Sequence, residues 1–412
     1  MKTRFLLWFV LLPVLAHAQT YTESILYSFG SSASDGINPW SGVVIDKAGN
    51  LYGTTLTGGD LTCGAPLFVG CGTVFKIDTA GNETILHTFK GDKDGANPVA
   101  SLTMDEAGNL YGTTLYGGYK FNQGGAVFKI TPSGKYSILH AFTGAPDGQN
   151  PWGSLTLDAA GNIYGTTSLG GDSVATPCKP RRGTPGCGIV FKLNSKGVET
   201  ILYNFNGDAN GGFPTGTLRL DSAGNLYGTT SGFGVNDYGV LFELSPANVS
   251  TVLYSFCSDI NCTDGTIPAN ITGDSEGNLY GIAGNYEFSV FGFGFPTVIF
   301  EHSAAGVETA LSTFSCVSGS CPDGSAPYGS LLLSGGNIYG TTYDGGAGGF
   351  GTVYELTTTG SETVLYSFDY NVRGDGSQPL SGVISDQAGN LYGTTYGGGT
   401  QAKGTVFKLT KN

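Results

Sequence analysis

Short runs of alternating apolar and polar residues recur along this chain, each bounded by Gly, Asn or Asp. Their marker is the tetrapeptide Tyr-Gly-Thr-Thr, which starts at Tyr52, Tyr111, Tyr164, Tyr227, Tyr339 and Tyr392, with a degraded copy, Tyr-Gly-Ile-Ala, at Tyr280. Successive starts are 59, 53, 63, 53, 59 and 53 residues apart. Each copy holds four runs rich in β-branched and aromatic residues, which predict short strands. In the first copy these are 42–46, 50–55, 72–77 and 83–89.

Between the first two runs stands Asp-x-x-Gly-Asn, at Asp46, Asp105, Asp158, Asp221, Asp274 and Asp386. Asp bonds its own backbone two residues on and Gly supplies a left-handed position, so the element predicts a hairpin turn. The sixth copy, Ser334-Gly335-Gly336-Asn337, is a residue shorter and lacks the Asp. Four strands per unit and seven units predict an all-β, seven-bladed β-propeller with four antiparallel strands per blade. The seventh copy stops after its third run, 404–409, while a spare fourth run, 23–29, lies near the start. That N-terminal strand is predicted to join the last blade and close the ring. Residues 19–412 then form one propeller domain.

Composition removes other classes. Hydrophobic residues make up 40% and aromatics 12%, too many for a disordered chain. Charged residues, at 12%, are too few for a coiled coil. Lys2 and Arg4 precede an apolar run from Phe5 to Leu15, and Ala16-His17-Ala18 follows. This is the pattern of a signal peptide spanning residues 1–18. The run is too short to span a membrane. The expected product is a secreted monomer, extracellular or periplasmic, with no membrane span. Removing Lys2 and Arg4 takes the net charge from −13 to −15. Such a surface repels phosphate backbones, so no nucleic-acid partner is expected.

Eight cysteines fall in four local pairs: Cys63 with Cys71, Cys178 with Cys187, Cys257 with Cys262, and Cys316 with Cys321. In an exported chain these are expected as disulfides. With no Cys-x-x-Cys, and only His87, His140 and His302 beyond the leader, no metal site and no cofactor are expected.

The run Leu-x-x-Asp-x-x-Gly-Asn-Leu-Tyr-Gly-Thr-Thr, seen at Leu102–Thr114, and Gly-Thr-Val-Phe-Lys-Ile at Gly72–Ile77 resemble the bacterial extracellular tandem-repeat family called GloVer. The resemblance covers essentially all of the chain after the leader. It implies an exported repeat protein and assigns no catalytic residue. Relatives of this kind often carry a C-terminal surface anchor, whereas this chain ends at Lys411-Asn412 directly after a strand.

In a propeller the fourth-to-first connections share a face with the loops between the second and third strands. These connections carry Asp-Gly-x-x-Pro, with acids at Asp35, Asp94, Asp147, Asp264, Asp323 and Asp375 and Asn210 in the fourth copy. Two readings stand: turns that stiffen entry to the inner strand, or an acidic rim for calcium or sugar hydroxyls. The residue after Pro varies and reads Trp40, Val99, Trp152, Thr215, Ala269, Tyr328 and Leu380. Trp40, Trp152 and Tyr328 either stack on sugar rings at the channel mouth or pack between blades. All four cysteine pairs are expected on this face, as is the basic cluster Lys179-Pro180-Arg181-Arg182.

Repetition of nearly every polar motif favours a scaffold over a catalyst, because an active site must break the symmetry. The leading expectation is a secreted binding propeller, with a polysaccharide as ligand. One alternative is a carbohydrate-active enzyme, a polysaccharide lyase or glycoside hydrolase, with carboxylates at the central channel. The other is an envelope module that binds protein.

Overall fold

The computed structural model describes residues 21–63, 69–120, 123–172, 178, 186–284, 296–314, 316 and 321–412. The expected leader and the Lys179–Arg182 cluster lie outside the described residues. Each repeat forms one antiparallel sheet, and seven such sheets make a seven-bladed propeller. We letter the strands a to d from the channel outward. In the first blade they are Val44–Ile45, Leu51–Thr55, Thr73–Ile77 and Glu83–Thr88, paired in that order. In the seventh, Ile384–Ser385, Leu391–Thr395 and Thr405–Lys411 supply strands a to c. Strand d comes from Tyr21–Ser28, in register from Tyr21 opposite Lys411 to Ser28 opposite Thr405. The ring therefore closes as expected. Among the described residues no helix is long and apolar enough to cross a membrane.

Each residue of the tetrapeptide has a separate task. The Tyr52 hydroxyl donates to the Asp46 carboxylate at 3.0 Å, and that carboxylate also accepts the amides of Ala48 and Asn50. The same bond recurs from Tyr111, Tyr164, Tyr227, Tyr280 and Tyr392 to their turn acids. Burial works against ionisation of these Asp residues. Hydrogen bonds from Asn, Tyr and backbone outweigh it and hold Asp46, Asp105, Asp158, Asp221, Asp274 and Asp386 below their ordinary value. In the sixth blade, which lacks the Asp, Glu355 on strand c takes over. It accepts from the Tyr339 hydroxyl at 2.9 Å and from Asn337.

The glycine makes room. A Cβ on Gly53 would stand 2.5 Å from Phe75 Cζ, inside contact distance. Every blade repeats this approach between its glycine and the ring of strand c. The admitted ring then meets the last aromatic of the preceding blade. These pairs are Phe29–Phe75, Phe89–Phe128, Phe142–Phe191, Phe205–Phe242, Phe256–Phe300, Phe314–Tyr354 and Phe368–Phe407, with centroids 5.0 to 5.4 Å apart. Nearly all of these rings are fully buried. Tilted and edge-on pairs of this kind contribute about 0.5–1.5 kcal/mol each beyond their buried area.

The first threonine ties inner strands together. Thr394 donates to the Ser41 carbonyl at 2.8 Å, Thr341 to Ser381 at 2.7 Å, Thr229 to Ala269 at 2.6 Å and Thr166 to Gly216 at 3.2 Å. Each bond crosses to the next blade. Thr54 bonds Ser41 within its own blade, Thr113 is buried with no partner, and Ile282 stands in the fifth copy.

Gly53→Ala forces Phe75 out of its seam and is expected to cost about 1–3 kcal/mol. The checking measurement is the urea midpoint, with Gly306→Ala as control. Gly306 has open space around it and a left-handed φ of 79°, so its replacement strains only an exposed turn.

Candidate functional site: the channel mouth

The Asp-Gly-x-x-Pro connections run beside the b-to-c loop of their own blade. Gly36–Ile37 pairs with Thr57–Gly58, Gly148–Gln149 with Leu169–Gly170, and Gly376–Ser377 with Gly397–Gly398. The motif's glycine is needed for contact, because a Cβ on Gly36 would overlap the Thr55 side chain, the tetrapeptide's second threonine. The two repeated motifs are thus halves of one joint.

The residue before Pro turns the chain toward the axis. Asn38, Asn97, Asn150, Phe213, Ile267, Ala326 and Gln378 all hold φ between 50° and 59°. Asn tolerates this region best. Its side chain also reaches the neighbouring loop: Asn97 donates to the Leu56 carbonyl, Asn150 to Leu115 and Asn38 to Tyr396, at 2.9 to 3.0 Å. The sequence reading passed over this position. Its signal was the Asn before Pro at 38, 97 and 150.

After Pro the chain enters the inner strand, and all seven variable positions converge. Trp40, Val99, Trp152, Thr215, Ala269, Tyr328 and Leu380 line one cavity of about 630 Å³. Trp40 meets Tyr328 edge-on at 6.2 Å and Tyr396 at 5.9 Å, joining three blades. Trp40, Trp152 and Tyr116 rest, partly buried, on Leu56, Val99 and Leu115. So the aromatics both pack and line the opening. Across the channel, blades four and five present Thr215, Ser231, Gly232, Ala269 and Asn270. Apolar and polar groups alternate around the mouth: Phe213, Ile267 and Ile282 stand beside these small residues, and Ser41, Ser101, Ser154 and Ser330 stand among the aromatics. Among the described residues, no Asp, Glu, His, Lys, Arg or Cys lines this cavity.

The aspartates lie elsewhere. They form a ring, but at the outer seams between strands d, so the structure does not bring them to the aromatics. Asp35 is buried and accepts from the amides of Gly30 and Ser31 at 2.8 Å and from the Tyr27 hydroxyl at 3.0 Å. Asp375 accepts from the Asp369 and Gly376 amides and from Tyr366. Asp264 accepts from the Ser258 amide and Tyr254, Asp94 from the Lys90 amide, and Asp147 from Thr143 and Gly148. Asp323 is exposed, and its carbonyl accepts from Thr352. Each of these carboxylates but Asp323's fastens its own loop. His87 and His140 stand on strands d, beside Asp94 and Asp147. His302 ends strand c of blade five and is buried against Glu308 at 2.9 Å.

The cysteines pair as expected but stand apart from the mouth. Disulfides join Cys63 to Cys71, Cys178 to Cys187, Cys257 to Cys262 and Cys316 to Cys321. Cys63 and Cys71 pack with Phe89 and Ala96, and Cys178 and Cys187 with Phe205 and Val240. Cys262 is buried and Cys321 half-buried. The first two bridges staple their loops into the core between blades, whereas Cys316 is exposed; none of the eight cysteines belongs to the channel lining.

A second acid joins most of the outer seams. Glu83, opening strand d of the next blade, lies 2.9 Å from the Tyr27 hydroxyl that also faces Asp35. One phenolic hydrogen serves one acceptor well, so the two acids lie close with no cation between them and the neutral form of one is favoured. Burial and then the Asp35 charge push Glu83 up to about 7. Burial and Asp375 do the same to Glu23, and burial and Asp323 to Glu362.

A sequence model of the Gloeobacter/Verrucomicrobia repeat matches residues 14–176, 68–292 and 294–412. No curated protein matches the chain in sequence. Among solved structures, a gluconolactonase from Xanthomonas campestris aligns at 12% identity and TM-score 0.43, over 95% of this chain and 90% of that one. A candidate 6-phosphogluconolactonase from Bacteroides uniformis aligns at 16% identity and TM-score 0.48, over 81% and 86%.

The two acid rings set opposite pH limits. Glutamates raised above their ordinary 4.5 stabilise the fold below that pH, and the contribution is lost as pH rises through about 7. Turn aspartates held below 3.8 stabilise it above that pH, and the contribution is lost as pH falls further. Melting temperature is expected to peak near pH 4 to 5, within roughly that window, and to decline steadily toward pH 8. Scanning calorimetry across that range checks it, and Glu83→Gln should flatten the upper limb. Asp35→Ala, which strands the Gly30 and Ser31 amides, is expected to cost about 2 kcal/mol in a urea titration.

Proposed function

The chain belongs to the Gloeobacter/Verrucomicrobia repeat family, and we propose that this member is an exported binding propeller that holds an uncharged polysaccharide at its channel mouth. The observation that carries this reading is the chemistry of the lining. Aromatic rings from Trp40, Trp152 and Tyr328 share the lining with hydroxyl and amide groups from Ser41, Ser101, Thr215, Ser231 and Asn270. Sugar rings have apolar faces and hydroxyl edges, and such a mouth meets both. Its volume lies within the usual range for small-ligand sites, roughly 300–1,000 Å³. Acidic polymers would meet no cation among the described lining residues.

The carbohydrate-active enzyme reading needs an acid and a base at the reacting bond. The described lining offers neither carboxylate nor imidazole, so binding has the better support. Export is supported by the leader pattern at residues 1–18 and by four disulfides, which persist in oxidising compartments.

Trp40 and Trp152 are the only tryptophans beyond the leader, so intrinsic fluorescence reports on the mouth directly. Incubation with a panel of neutral plant and microbial polysaccharides is expected to change emission and to retard the protein in affinity gels. Trp40→Ala/Trp152→Ala should weaken retardation at least tenfold, about 1.4 kcal/mol. New reducing ends would replace the proposal with an enzymatic one. No response to any polymer would overturn it.

A further inference from the structure

The outer seam between blades two and three differs from its sisters. At the seam between blades seven and one, the Tyr27 hydroxyl fills the space between Asp35 and Glu83 with contacts of 3.0 and 2.9 Å. Tyr254 and Tyr366 likewise reach Asp264 and Asp375, at 2.7 and 3.1 Å. In blade two the equivalent residue is His140. Its Nε2 stands 3.4 Å from Asp147 Oδ1 and 3.6 Å from Glu199 Oε2. Both separations are longer than good hydrogen bonds, which run about 2.7–3.2 Å. They approach another geometry. Donors about 2.0–2.1 Å from a tetrahedral zinc-class ion lie roughly 3.3–3.4 Å from one another.

We infer that His140, Asp147 and Glu199 form a binding site for a divalent transition metal of the zinc class. One imidazole and two carboxylates are ligand types that such an ion accepts. The three donor atoms all lie within 4.8 Å of one another. Asp147 is already aimed: one oxygen accepts from the Thr143 amide and hydroxyl at 2.9 and 3.0 Å, and Oδ1, which faces His140, accepts the Gly148 amide at 2.7 Å and keeps a second lone pair. Glu199 Oε1 is buried without a hydrogen-bond partner, as are the Oε1 atoms of Glu23, Glu83, Glu308 and Glu362 in other seams, so the imidazole is what sets this seam apart. The side chains remain 15 to 19% exposed, so a fourth position opens to water.

The site has an internal control. His87 occupies the same place in blade one and sits 3.2 Å from Asp94. There the next blade supplies Tyr136, stacked on the imidazole at 3.6 Å, in place of a glutamate. His87 therefore has one carboxylate and a single hydrogen bond to it. At the inner strands this seam is tied by Thr103, which donates to the Leu155 carbonyl at 2.6 Å, but it lacks the threonine bond found elsewhere. Thr113 of blade two, whose counterparts in blades three, four, six and seven bond the next inner strand, is buried without a partner at this seam. A metal held by His140 and Asp147 from one side and by Glu199 from the other would cross-link blades two and three.

The test is calorimetric titration of the metal-stripped secreted protein with zinc chloride alone, alongside calcium chloride. One saturable zinc site per chain is expected, with a rise in melting temperature. His140→Tyr and Glu199→Gln should each weaken binding at least tenfold, and His87→Tyr should leave it unchanged. His140→Tyr is suited to fold, since tyrosine is the native residue at 27, 203, 254 and 366. Absence of saturable zinc binding, or binding undiminished in both His140→Tyr and Glu199→Gln, would overturn the site. Calcium binding as tightly as zinc would overturn the ion class.

Discussion

A missing methyl group holds this ring together. The glycine of Tyr-Gly-Thr-Thr lets the aromatic ring of strand c lie flat across strand b, and the freed ring reaches the last aromatic of the blade before it. No other residue fits there, because the Cβ of alanine would already overlap the ring. The seam is the true unit of this fold. A blade alone buries one face of a small sheet, and about 3–6 kcal/mol of seam contact cannot form until its neighbour arrives, a scale set by two buried rings at roughly 1.5–3 kcal/mol each. Closure by Tyr21–Ser28 then supplies the seventh seam, through Phe29 and Phe75, and leaves no sheet edge on which the ring could stay open.

This explains why so much of the architecture was legible. Tyr, Gly and both threonines recur because each has a partner set by the repeat: the turn aspartate, the strand c ring, the next inner strand, and the glycine of Asp-Gly. Period, strand order and closure all follow from that recurrence. The cysteine pairs were legible for a simpler reason. Partners such as Cys257 and Cys262 are so near in sequence that a single loop brings them together. The copy lacking its turn acid was equally instructive. Sequence showed the loss at Ser334–Asn337, and only coordinates showed Glu355 filling it from another strand.

Direction was not legible. Asp-Gly-x-x-Pro lies on the expected face, yet its carboxylates turn outward to strand d while the residue after Pro turns inward to the channel. The cause is the left-handed residue between them. It reverses the chain within two positions, and nothing in alternating hydrophobicity encodes such a reversal. The paired glutamates were missed for a related reason. Glu83 and Asp35 are 48 residues apart in sequence and meet only across a seam. A glutamate opening strand d also looks like an ordinary solvated strand end until the neighbouring blade covers it.

Seven-fold repetition and recognition pull in opposite directions. Groups present in every blade point equally at every angle, so they can fasten a ring but cannot orient a single ligand within it. The positions that differ are therefore the informative ones, and in this chain they separate into two places. At the mouth, the residue after Pro varies between indole, phenol, aliphatic and small side chains, and so the lining differs from blade to blade. At the rim, His140 replaces tyrosine between two acids, and a filled seam becomes an open set of donors. In both places the backbone is shared with the other blades, so the change costs the scaffold little. The repeat supplies rigidity and placement, and departures from it supply the chemistry.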